Sequence, residues 1–557
     1  LRFSSSLPLD LPRPSPRGAR LRHGAWCGDG CSFTVPDPRS SSQPPHRGPD
    51  PRGGPRPHSG NAGQAGRGQR NPRDPRSGGR PSPPANTSAP RPAPAAAPKP
   101  APVAAVVAAA GVPHGSREGG WLPDLVYTGD KFEAGLAFFA DATGRITRFS
   151  REPADLATAR RLPGQAALPG LVNTHSHALG RLARGETDTG CCNPALPPAA
   201  ILAKLGAEDV FDTARLVFLE MMMSGVTCVG EFHALHHGAE AAVAGTDFGR
   251  EVVRAAHDVG IRIALLRVAI LREQTPAQAT ALPPGVLSAS VDQFTRETET
   301  LRLAIERDFP ADEAWLGVAP DSLATVPPEA FKLIGNYARA QRLRLHTHVA
   351  SSAEEVAACV AQHGRTPLAL LADLGLVDKR FTAVDARHLT DDEIRSLGTA
   401  RAAISLSPGL PAAVTALSTA GAGVAAGTDS QAPASPLVVA RAAGFEDAAA
   451  VWRSATVAGA RSLGATGGAL EVGRPADFFT VSLSDPALAG VEPRALPAVL
   501  LSSLDRRVIR DVWVGARQRI AAGRHLAQGQ IIGRFIGLQD RLRGRTPQPV
   551  ATTEASG

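Results

Sequence analysis

Cysteine is scarce. Six residues in 557 (Cys27, Cys31, Cys191, Cys192, Cys228 and Cys359), with no paired CxxC spacing, exclude a disulfide framework and a zinc ribbon. A reducing, cytoplasmic setting is the expectation. Long apolar runs are also missing: the best small-apolar stretch, 102–110, has about half of the roughly 20 residues needed to cross a bilayer. No membrane partner is expected. Aromatic residues make up only 4%, yet 43% hydrophobic and 20% charged residues suffice for a large core and exclude a single small domain. The formal charge of +8 is unevenly spread. Residues 1–110 carry 15 Arg, one Lys and five Asp, a balance of +11, whereas 111–557 come to −3. The main body therefore lacks the cationic excess that holds a phosphate backbone, and any nucleic-acid affinity would belong to the tail. The only methionines are Met221, Met222 and Met223, so Leu1 is not an initiator residue.

Composition divides the chain. Residues 1–115, rich in Pro, Arg and Gly, lack helical or strand periodicity and read as a disordered tail. Residues 116–166 have short β-like segments, the first part of a small β domain. From 167 to 465, β-branched apolar runs at 168–174, 226–231, 261–270, 315–319, 343–349, 381–386, 402–406 and 424–428 alternate with helical patterns such as 208–223, 249–259, 291–307, 328–340 and 353–363. Eight strands alternating with helices predict an α/β fold, a parallel (β/α)8 TIM-like barrel. The chain returns to β texture at 466–526, which predicts a small β-sandwich built from segments before and after the barrel. Residues 527–557 read as a terminal helix, about 528–544, and a frayed end.

A barrel places its chemistry at the C-terminal ends of its strands. His175 and His177 end strand one, one residue apart, so both imidazoles lie on one side of the backbone and can share a metal. His348 ends strand five. Asp429 ends strand eight, which closes the barrel beside strand one. Three imidazoles and a carboxylate converging there make a zinc-type site with room for water.

The segments 168–178 (LPGLVNTHSHA), 230–237 (GEFHALHH), 346–350 (HTHVA), 388–390 (HLT), 427–430 (GTDS) and the late GxxxxGxxAD ending at Asp477 resemble the amidohydrolase superfamily, most closely its formimidoylglutamate deiminases. The resemblance spans about 120–525. It implies one Zn2+ per chain on His175, His177, His348 and Asp429, another divalent metal being the alternative, a small-molecule substrate and a homodimer. It also implies attack by a zinc-bound hydroxide on a non-peptide carbon–nitrogen bond, with Asp429 relaying the proton.

Several positions depart from that family. Where it has a Glu three residues after the strand-five ligand, this chain has Ser351, and where it has a strand-six His, this chain has Asp385. Gly180, Ala234, Asp321 and Ala324 stand where the deiminases have Gln, Tyr, His and Arg, so their cationic clamp for substrate carboxylates is missing. The expected reading is a metal-dependent amidohydrolase with a diverged substrate. Asp385 joins Asp429 as a catalytic residue, and His233, His388, Ser351 and Asp321 are substrate or supporting positions. The alternative is a catalytically silent barrel that keeps its metal as a binding or structural protein.

Overall fold

The computed structural model describes residues 118–184, 197–238, 247–272, 282, 285–409, 413–429 and 435–545. The tail reading for 1–115 and the frayed end beyond 545 lie outside the described residues, as do Cys27, Cys31, Cys191 and Cys192.

Eight parallel strands form the barrel sheet in sequence order: β1 (Leu171–Ser176), β2 (Val226–His233), β3 (Arg262–Ala269), β4 (Ala314–Pro320), β5 (Leu345–Val349), β6 (Phe381–Asp385), β7 (Ala403–Leu406) and β8 (Gly423–Ala426). A parallel bridge between Ser176 and Asp429 joins the two edges and closes the ring. β2 and β3 are buried along their whole length, as expected of parallel strands covered on both faces. The helix Phe248–Val259 shows how the outer layer forms. The Asp247 side chain caps its first turn by accepting from Gly249 N, Gly260 ends it at φ 89°, and Phe248, Val252, Val253, Ala256 and Val259 face the sheet at helical spacing.

The second sheet has nine strands, drawn from Gly119–Ser150, Arg160–Pro169 and the late segments Phe478–Ser482, Ile509–Val514, Arg517–Ala521 and Arg524–His525. It is one continuous sheet with a core of its own around Trp121, Phe138, Phe478 and Trp513. Strand Arg160–Pro169 pairs antiparallel with Phe478–Ser482, which brings the early and late segments together. That same strand ends one residue before β1. A helix, Gln528–Leu542, follows the sheet.

Asp477 ties the two sheets together. Its carboxylate accepts from Arg262 Nε at 2.7 Å and Nη2 at 3.1 Å, and from Gly515 N at 2.6 Å, with both side chains almost fully buried. The late Gly-rich motif thus ends in a structural anchor. Asp477→Ala would leave the Arg262 guanidinium buried without its main partner, a change that typically costs about 3–5 kcal/mol. Chemical denaturation of the variant should show a loss of that size, and a loss below about 1 kcal/mol would contradict the anchoring role.

Candidate metal centre

β1 and β8 approach closely because Gly427 lacks a side chain; a Cβ there would lie 2.6 Å from the Cβ of His175. Asn173 stitches the same seam, donating from Nδ2 to Thr428 Oγ1 at 2.8 Å and accepting from Thr428 N at 3.0 Å. Asp429 then turns into the left-handed region at φ 50°, with its N donating to His175 O and its O accepting from His177 N. This backbone exchange fixes the carboxylate beside the two imidazoles.

His175 Nε2 and His177 Nε2 stand 3.0 Å apart, and Asp429 Oδ1 lies 3.6 and 3.5 Å from them. His348 completes the group, with one ring nitrogen from each histidine within 4.8 Å of the others. Metal–ligand bonds of about 2.0–2.2 Å in a tetrahedral site place ligand atoms roughly 3.3–3.6 Å apart. The donor set therefore fits a divalent ion of the zinc type. Burial and the charge on His348 hold His175 well below the ordinary histidine range; burial and His175 push His177 down to about 3. Both are neutral at pH 7, as ligands must be. For His348, burial is outweighed by Asp321, then Asp385 and Asp429, which push it up to about 9.

Phe232 forms the apolar floor, its ring centroid 4.7, 5.4 and 5.0 Å from those of His175, His177 and His348. Its inward position decides the place of its neighbours, because side chains alternate along a strand. Glu231 and His233 point the other way, toward the helix layer. His233 is buried in register with Arg267, which pairs with Asp247 and Glu297 from that layer, and burial followed by the Arg267 charge pushes it down to about 3. The structure thus places His233, expected from sequence as a substrate or supporting position, beside Arg267 rather than among the three clustered imidazoles. His388 is exposed.

Asp321 and Asp385 are brought to the cluster. Asp321 Oδ1 is 3.6 Å from His348 Nδ1. Asp385 and Ala386 occupy the left-handed region at φ 65° and 47°, and Arg387 Nη2 lies 3.5 Å from Asp385 Oδ1 while donating to Pro408 O at 2.9 Å. Ser351 N donates to Glu355 Oε2 at 2.8 Å, and its Oγ is buried with no partner among the described residues. The sequence-based reading missed Phe232, Glu231 and Glu355. Phe232 gives no chemical signal in a sequence; Glu355 had one, because Ser352 and Glu355 have capping-box spacing.

Glu231 accepts from Ser176 Oγ at 2.7 Å and Ala178 N at 2.6 Å, bracing the turn that bears His177. Burial, working against those bonds, pushes its carboxyl up to about 8. Between the ordinary value of about 4.5 and 8, the folded protein keeps a proton that the unfolded chain has released, so stability falls as pH rises through that window. Glu231→Gln should remove this slope. Thermal midpoints at pH 5 and pH 9 should then show the variant gaining on the wild type at the higher pH; equal slopes would contradict the assignment.

The amidohydrolase family model matches residues 166–523. Formimidoylglutamate deiminase of Pseudomonas aeruginosa is 28% identical over 426 residues, 70% of this chain and 92% of that protein. A 5'-deoxyadenosine deaminase of Methanoregula boonei is 30% identical over 353 residues, 58% of this chain and 73% of that protein. Among solved structures, a zinc-bound adenosine deaminase from Xanthomonas campestris superposes with a TM-score of 0.64 at 24% identity, covering 76% of this chain and 98% of that one. The barrel, its histidine cluster and the extent of the family match lead to one conclusion: the chain belongs to the amidohydrolase family, hydrolases acting on carbon–nitrogen bonds other than peptide bonds.

Proposed function

We propose that this protein is a zinc-dependent deaminase of a small molecule other than formimidoylglutamate, with His175, His177, His348 and Asp429 holding the ion. The observation that carries this reading is the approach of Asp429 Oδ1 to within 3.6 Å of both strand-one imidazoles. Zinc bound there supplies Lewis acidity, which lowers the pKa of water toward about 7. Asp429, about a third exposed, takes the proton from the attacking water and passes it to the leaving nitrogen. Attack at an imino, amidine or amino-heterocycle carbon gives a tetrahedral intermediate, and the protonated nitrogen departs as ammonia. Asp385 stands on the strand-six side, close enough for its charge to act on both His175 and His348, and orients the attacking water.

Formimidoylglutamate is disfavoured by charge. Among the described residues, Arg272 is spent on the carbonyls of Leu323 and Ala324, and Arg387 donates to Pro408 O beside Asp385. Asp321 and Asp385 add negative charge where substrate carboxylates would need cations. Zinc-loaded protein should release ammonia from at least one member of a panel of formimino, guanidino and amino-heterocycle compounds, with formimidoylglutamate a poor substrate. No ammonia from any of them would overturn the proposal. Ser351, in place of an acid beside the strand-five ligand, favours one second reading, the silent barrel, which predicts bound zinc without turnover.

A further inference from the structure

The turn after β4 contains a carboxylate that is held in place before any ligand arrives. Asp321 Oδ2 accepts from Thr325 Oγ1 at 2.9 Å and from Ser322 Oγ at 3.2 Å. Its main chain is fixed as well: Asp321 N donates to Ala269 O at 3.0 Å, and Asp321 O accepts from His348 N at 3.0 Å. Thr347 Oγ1 adds a second bond to the same carbonyl at 3.2 Å. With Oδ2 occupied by two hydroxyls, Oδ1 is left toward His348 Nδ1, 3.6 Å away, an ion-pair separation. The bond between His348 N and Asp321 O means that the strand-five histidine and this carboxylate cannot move independently.

We propose that Asp321 is the outer carboxylate of a metal–imidazole–carboxylate triad, a positioning residue that holds the Nδ1–H of His348 and so turns Nε2 toward the ion. The inference rests on the reading that the centre holds zinc. An imidazole has two inequivalent nitrogens, and the hydrogen bond at one decides which lone pair is offered to a metal. The partner also makes the ligand more basic. The contrast within the cluster is instructive: His175 Nδ1 is buried without a partner among the described residues, so His348 has a support that His175 lacks. A carboxylate committed to a ligand in this way is not available to a substrate, which gives the strand-four position a different task from the one its sequence alignment with the deiminases implies.

The test is the rate at which zinc-loaded protein loses its ion to excess chelator at pH 7.5. Dissociation is the cleaner readout, because metal-free His348 is itself charged next to Asp321, so equilibrium affinity at neutral pH mixes proton release with ligand strength. Asp321→Asn keeps the shape and both hydroxyl contacts but removes the charge; it should lose zinc about 10- to 100-fold faster. A residue that only braced the turn would leave this rate unchanged, so a wild-type rate in Asp321→Asn overturns the triad. Should that variant not fold, Thr325→Val decides: it keeps the carboxylate and loosens its clamp, and zinc loss faster than wild type supports the triad while an unchanged rate overturns it. A wild-type protein that takes up no zinc overturns the metal reading and the triad together.

Discussion

Asp429→Asn is expected to lower turnover by about 10²- to 10⁴-fold, the usual cost of losing one positioned acid or base. The substitution is close to isosteric. The main-chain exchange that closes the barrel, Asp429 N to His175 O and His177 N to Asp429 O, does not involve the side chain. Asn also tolerates the left-handed φ of 50° as well as Asp does. The fold should therefore persist, with unchanged circular dichroism, while the carboxamide cannot accept and relay a proton. Steady-state ammonia release by the zinc-loaded variant checks this, and a loss of less than about tenfold would remove Asp429 from the proton path.

His175→Ala is expected to empty the centre of metal. His175 is fully buried, and its Nε2 is the atom that both His177 Nε2 and Asp429 Oδ1 face. Without it, two imidazoles and one carboxylate remain at the mouth of an apolar floor, and water fills the gap in their coordination. Metal content after dialysis, read by elemental analysis, should fall from one ion per chain toward zero, and ammonia release should fall with it. His233→Ala is the matched control, because alternation turns that imidazole away from the cluster and toward Arg267. It should keep its zinc. Retained metal in His175→Ala, or metal lost in His233→Ala, would show that the ion sits elsewhere.

The sequence made the barrel legible because short, mostly apolar segments recur between helical patterns, as parallel strands covered on both faces require; β2 and β3 are buried throughout although Glu231, His233, Arg262 and Arg267 interrupt their apolar residues. The proposed ligands were legible for a related reason. A period of two puts His175 and His177 on one face, and ring closure alone puts Asp429 beside them. Which way a strand faces is harder to read. His233 is polar, ends a strand and sits three residues past Gly230, so it looks like a site residue; only the inward ring of Phe232 shows that it faces the helices. His388 resembles a site residue for the same reason and is exposed. Asp321 is the converse case. Its spacing from His348 in sequence says nothing about a contact made between β4 and β5, and its attachment to a ligand emerges only from the packed turn. The late motif ending at Asp477 was visible as a pattern, but its job, neutralising Arg262 between two sheets, depends on a contact 215 residues away in the chain.

Zinc-edge X-ray absorption of the loaded wild-type protein tests the central claim most directly. Coordination by His175, His177, His348 and Asp429 predicts only nitrogen and oxygen ligands at about 2.0–2.2 Å, with the multiple-scattering pattern of three imidazoles. A sulfur shell near 2.3 Å, or fewer than three imidazoles, would contradict it.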